Sequence, residues 1–165
     1  MGCSSGRAIQ EEEGLLTSLE KQLKDLDIND TFFDSLKSDY KDFTIWYNNH
    51  LDRKAYVTYQ NNKITSILVL KIEEENENYN FTKEFKPSKR LKICTLKVID
   101  KYKRLGTKYL EIAFNEAINN NVNEIYITLY TNHKDLINLL ERNNYTYYCD
   151  NTNNEKVYVN KIKEF

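Results

Sequence analysis

Apolar residues along this chain follow two different periods, and the switches between them mark out its elements. From Leu91 the run LKICTLKVID reads as a buried strand, and a basic segment, KYKRLG, follows it. Leu110, Ala113, Ala117 and Ile118 then recur at helical spacing, with alanines small enough to let the helix sit close on a sheet. Beyond it Ile125, Ile127 and Leu129 alternate with Tyr126, Thr128 and Tyr130, the mark of a second strand. Strand, turn, helix and strand make a βαβ unit, which sets the unpaired N–H groups of a helix start at the mouth of a sheet.

The same reading extends to both sides. Leu15, Leu16, Leu19, Leu23 and Leu26 step by three and four, which predicts a short amphipathic helix. Asp30 offers an N-cap for a longer helix whose aromatic face carries Phe32, Phe33, Leu36, Tyr40, Phe43, Trp46 and Tyr47. AYVTYQ and ITSILVLKIEE, split by an Asn-Asn turn, predict a hairpin that ends in Glu73, Glu74, Glu75 and Glu77. Residues 81–90 read as a polar loop closed by Pro87. After the βαβ unit comes HKDLINLLERNN, a helix capped by Thr131 or Asn132, with an apolar stripe of Leu136, Ile137, Leu139 and Leu140. A final hairpin closes the chain. Residues 1–14, small and then acidic without an apolar period, read as a disordered leader, and residues 15–165 as one domain. Gly2 and Cys3 match the start of doubly acylated proteins, but Gly6 stands where Ser or Thr is expected.

Composition narrows the function. A net charge of −1 over 165 residues excludes a generally basic nucleic-acid coat, so nucleic acid is not expected as a partner. Lys101, Lys103, Arg104 and Lys108 nonetheless crowd the start of the central helix, where the macrodipole is already positive. A bound anion would compensate them. Three cysteines, Cys3, Cys94 and Cys149, have no metal-ligand spacing, and their odd number argues against a disulfide framework. Reduced thiols in a cytoplasmic setting, without a metal, are expected. No apolar run is long enough to span a bilayer.

Taken in order, the elements resemble the GCN5-related N-acetyltransferase (GNAT) family. The resemblance implies an α/β (α+β) fold: a mixed, mostly antiparallel central sheet, helices on both faces, and a splayed parallel strand pair that binds acyl-CoA. The family's acetyl-CoA diphosphate motif falls on Lys101, Tyr102, Lys103, Arg104, Leu105 and Gly106, with Thr107 next. Lys101 takes the Gln/Arg place and Gly106 the final Gly, while Arg104 replaces the first Gly. By the same likeness the pantetheine arm would be held by backbone around Leu96 and Val98. His133 takes the place of a cofactor-touching Asn, and Leu140 that of the Tyr which protonates the departing thiolate; the expected Gly-Phe ending is Asn144-Tyr145.

The usual general acid is therefore missing from its usual place. Candidate bases are Glu73 and Glu74, and candidate acids are Tyr145, Tyr147 and Tyr148; Glu73 and Tyr147 are the expected catalytic pair. At a helix start, the dipole favours a neutral His133, a suitable hydrogen-bonding partner. The implied activity is direct transfer of acetyl from acetyl-CoA to an amine of a small-molecule, peptide or protein acceptor. The alternative is a non-catalytic module of the same fold that binds a protein or RNA. The tyrosine-rich last hairpin offers a surface for a homodimer.

Overall fold

The structure is a computed structural model that describes residues 18–99 and 104–162; the leader, its Gly2 and Cys3, and Lys101 and Lys103 lie outside the described residues. The elements are β1 (Leu19–Gln22), α1 (Asp34–Asp39), α2 (Phe43–Asn48), β2 (Lys54–Gln60), β3 (Lys63–Glu73), β4 (Arg90–Val98), α3 (Arg104–Asn119), β5 (Glu124–Leu129), α4 (Lys134–Arg142), β6 (Thr146–Asp150) and β7 (Lys156–Lys161). The sheet order is β1-β2-β3-β4-β5-β7-β6, with β4 and β5 parallel. The expected mixed, mostly antiparallel sheet is present. The chain forms two compact units, one running to Val69 and including Leu96–Leu105, the other made of Leu70–Thr95 and everything from Gly106 onward.

In the first unit the leucine spacing at its start misleads. Instead of a helix, Leu19–Gln22 is a strand paired antiparallel with β2, and a single 3-10 turn follows it. Leu23 and Leu26 are buried as expected, but Leu19 is 50 % exposed, so of the pattern's described positions Leu23 and Leu26 serve a core and Leu19 does not. Main-chain pairing to an available sheet edge outweighs a short stretch's helical preference, because isolated helices of this length are marginal. Asp30 caps as predicted: its carboxylate accepts from Phe32 N–H at 2.9 Å and also from Ile64 N–H at 3.1 Å. The aromatic helix is broken in two, since Tyr40 is extended (φ −120°, ψ 100°) between α1 and α2. Its buried face survives the break, with Phe33 packed edge-on against Tyr47 at 5.8 Å. Asn61 and Asn62 make the β2–β3 turn at φ 51° and 62°, the left-handed region that asparagine tolerates and a two-residue hairpin favours.

The second unit holds α3 from Gly106 onward, α4 and β5 to β7. Ala113 and Ala117 are fully buried with Leu110 and Tyr109, whereas Ile118, expected in that stripe, is 47 % exposed. A bulge between Tyr147 and Cys149 interrupts the β6–β7 ladder. Tyr147 is paired with Tyr158 and Cys149 with Val157, neighbours on β7, so these two residues of β6 point to opposite faces of the sheet. The connection 74–89, which contains most of the segment 81–90 read as a polar loop, lays Tyr79, Phe81 and Phe85 on a core cluster of Tyr126, Cys149, Val157 and Val159. Phe81 bridges to Asn151, and Thr82 N–H donates to Asp150 O at 2.8 Å, which pins the connection to the last hairpin.

Candidate active site

The parallel pair is short. Its ladder consists of Leu91↔Ile125, Lys92↔Tyr126 and Ile93↔Ile127, and no later pair is formed between the two strands among the described residues. β5 nevertheless continues to pair with β7 through Thr128↔Val157 and Leu129↔Lys156. Along the β4 side of Thr128 and Leu129, main-chain groups are thus left without a ladder partner, and such groups need a substitute when covered. Leu96 and Val98 lie further along β4, both partly exposed.

The described part of α3 opens at Arg104, and its first turn contains no acidic residue. Arg104, Thr107 and Lys108 are exposed, while Leu105 and Gly106 are buried. First-turn amides and the positive end of the dipole make this a place that favours an anion. Gly106 has a negative φ, so left-handed backbone is not the reason for a glycine. The reason is space: a Cβ at this position would stand 2.6 Å from Leu139 Cδ2. Glycine here lets α3 approach α4 closely.

His133 occupies the N-cap position of α4, in place of the expected Thr131 or Asn132, and its side chain makes no capping bond (φ −84°, ψ 62°). Its carbonyl accepts from Ile137 N–H at 3.0 Å, and the ring is partly buried. Leu140, at the place of the missing tyrosine, is fully buried.

Glu73 sits at the end of β3 and is 3 % exposed. Its Oε1 accepts from the Tyr126 hydroxyl and from Tyr79 Oη at 3.0 Å, and its Oε2 pairs with Lys71 Nζ at 3.4 Å. Lys71 also reaches Glu77 at 3.5 Å. Burial pushes the Tyr126 hydroxyl well above the usual tyrosine range, and the Glu73 charge pushes it further. Burial and then Glu73 raise Tyr79 to about 12. Both hydroxyls remain neutral donors to the carboxylate. Glu74 is exposed.

Tyr147 stands elsewhere. It is 51 % exposed, donates to Asp150 Oδ1 at 2.8 Å, and lies 6.0 Å from the Tyr158 ring. Tyr158 pairs with Ile127 and Tyr126 with Val159, so Tyr147 and the Glu73–Tyr126 pair occupy opposite faces of the sheet. The expected catalytic pair is not brought together. Of the other tyrosines, Tyr145 is buried with its hydroxyl raised by burial, and Tyr148 donates to the Glu84 carbonyl.

A cavity of 1420 Å³ lies elsewhere, at the ends of β4 and β5 where the ladder is closed; Arg90, Glu124, Phe114, Arg142 and Tyr145 line it. Arg90 is 3 % exposed, donates through Nε to Glu124 at 3.1 Å and stacks 3.5 Å above Phe85. Among the described residues there is no group of His, Cys, Asp and Glu able to hold a metal ion, and no helix long and apolar enough to cross a membrane.

Sequence reasoning missed Tyr126, Arg90 and the aromatic trio of the 74–89 connection. A signal existed for the tyrosine and for the trio, and none for Arg90. Tyr126 alternates with isoleucines in a strand, and Tyr79, Phe81 and Phe85 punctuate an otherwise polar segment.

No family model and no curated protein matches the sequence. Solved structures do match the fold. The crystal structure of the NatC complex bound to Gag peptide and CoA matches at 19 % identity and TM-score 0.54, over 89 % of this chain and 99 % of that one. The Campylobacter jejuni N-acetyltransferase PseH in complex with acetyl coenzyme A matches at 15 % identity and TM-score 0.51, over 88 % and 99 %. An N-acetyltransferase from Staphylococcus aureus Mu50 matches at 12 % identity and TM-score 0.59, over 88 % and 97 %. With the short parallel ladder and the element order above, these likenesses define the architecture: the fold of this chain is that of the GCN5-related N-acetyltransferases.

Proposed function

We propose that this chain is an acetyl-CoA-dependent N-acetyltransferase that passes the acetyl group directly to an amine. The observation that carries the reading is the end of the β4–β5 ladder at Ile93↔Ile127 in a sheet of this fold. Main-chain groups freed beyond that point are suited to an amide-rich pantetheine arm, with Leu96 and Val98 as the β4 contacts. The amides from Arg104 to Thr107, supported by Lys101, Lys103 and Lys108, would hold the diphosphate, and His133 would contribute a hydrogen bond to the cofactor.

Acetyl-CoA supplies an already reactive thioester, so positioning of the amine is the larger part of the work. Glu73 is the proposed proton acceptor. Its Oε1 already accepts from two hydroxyls, so an amine proton would reach it through a hydroxyl that passes its own proton on. Tyr147, on the other face, is outside that path. A non-catalytic module of the same fold is the second reading. It is favoured by Leu140, which fills the place of the thiolate-protonating tyrosine and is fully buried.

Calorimetric titration with acetyl-CoA tests the first reading, followed by thiol release with polyamine, aminoglycoside and peptide acceptors. Heat of binding followed by turnover is expected. Binding without turnover on any acceptor would select the module, and no heat at millimolar acetyl-CoA would end the acetyltransferase reading.

A further inference from the structure

Lys97 lies between Leu96 and Val98 on β4, and alternation along the strand sends its side chain to the face opposite theirs. Its Nζ donates to the Phe32 carbonyl and, at 2.6 Å, to Ser35 Oγ, and it stands 4.4 Å over the Phe32 ring. Three contacts from one ammonium group fix a turn of only a few residues. The same turn is anchored from its other side by Asp30, which accepts from Phe32 N–H and Ile64 N–H. Asp34, Asp39 and Asp30 favour the charged ammonium, while burial acts against it and lowers the lysine below its ordinary range. A half-buried lysine held this way is a tie between strand and turn, with little freedom to swing into solvent.

The peptide units flanking Lys97 are the ones assigned above to the pantetheine arm, and the inference rests on that assignment. We propose that Lys97 is a positioning residue that couples the cofactor segment of β4 to the turn at residues 32–35. Binding of acyl-CoA fixes the main chain at Leu96 and Val98. Lys97 then holds the carbonyl and hydroxyl of the turn more firmly. The lysine touches no reacting atom in this role.

Amide hydrogen exchange with acetyl-CoA as the probe tests the coupling without a known acceptor. At a concentration about a hundred times its Kd, acetyl-CoA should slow exchange at residues 32–35 by roughly tenfold in the unaltered chain. Lys97→Met keeps the aliphatic stem over Phe32 and removes the donor. It should bind acetyl-CoA within about threefold of the unaltered chain's Kd, since a change confined to a side chain on the opposite face of β4 leaves the main-chain cofactor contacts in place, yet lose the slowing. Ser35→Ala, at an exposed position, should lose part of it. Retained slowing in Lys97→Met, or none in the unaltered chain while calorimetry shows acetyl-CoA bound, overturns the coupling. If calorimetry shows no binding, the acyl-CoA reading itself falls and takes the coupling with it.

Discussion

Two carboxylates in the second unit have nearly the same partners and opposite surroundings. Glu73 accepts from two tyrosine hydroxyls and pairs with a lysine while 3 % exposed. Asp150 accepts from the Tyr147 hydroxyl at 2.8 Å and from Lys156 Nζ at 2.8 Å, on open surface. The hydrogen bonds look alike on paper. Water competes for the second set and is excluded from the first, so only the buried set leaves stranded groups when a member is removed. The comparison shows that an arrangement of acid, tyrosine and lysine does not identify a site until burial and face are known.

The sharpest way to break the comparison is to remove each acid. Glu73→Ala strands Tyr126 and Tyr79 under the aromatic cover and should cost about 3 to 5 kcal/mol in chemical denaturation, as for other broken buried pairs. Asp150→Ala should move the midpoint of unfolding only slightly, and equal losses in both variants would show that burial is not what separates them. Removing single hydroxyls is the milder version. Tyr126→Phe should cost about 1.5 to 3 kcal/mol, the range for a hydrogen bond to a charged group, while Tyr147→Phe changes nothing measurable in the same experiment.

Titration gives the smallest and most graded contrast. Tyr79 is raised to about 12, Tyr47 to about 12, and Tyr126 and Tyr145 are raised as well, mainly by burial. In the unfolded chain these groups ionise near the ordinary value of 10.0, so their contribution is whole below that pH and is lost as pH rises towards 12. Asp150 is held below the usual carboxylate range by Lys156 and then Tyr147, so its contribution is present above that range and fades as pH falls through the lowered value. Unfolding followed across both limbs, with tyrosinate absorbance as a second probe, should show a steep alkaline loss and a slight acid one attributable to Asp150. An alkaline limb as flat as the acid one would contradict the buried assignment of the tyrosines.

Much of the fold was legible because the central elements carry clean periods. The strand at Leu91, the helix stripe of Leu110, Ala113 and Ala117, and the alternation at Ile125 each announce one element and one face. Leu19 was not legible, since a four-residue strand owes its state to the β2 edge beside it. Tyr40 was not either, because nothing in a run of helix-compatible aromatics marks an extended residue. Less of the candidate site could be read. A resemblance places residues on elements, but the bulge before Cys149 decides which way Tyr147 points, and a bulge is a matter of register that one strand's sequence does not display. Lys97 was passed over for a similar reason: its contacts lie far away in the chain, with Phe32 and Ser35.

The tight approach at Gly106 has a consequence for how related chains should vary. The obstacle to a larger residue there is the tip of Leu139, a movable side chain, with no main-chain atom among the nearest neighbours. Bulk can therefore be traded across the helix pair. In homologous chains, an alanine or serine at position 106 should travel with a shorter residue at 139, and an alignment in which the two positions vary independently would mean that the helices there have learned to stand further apart.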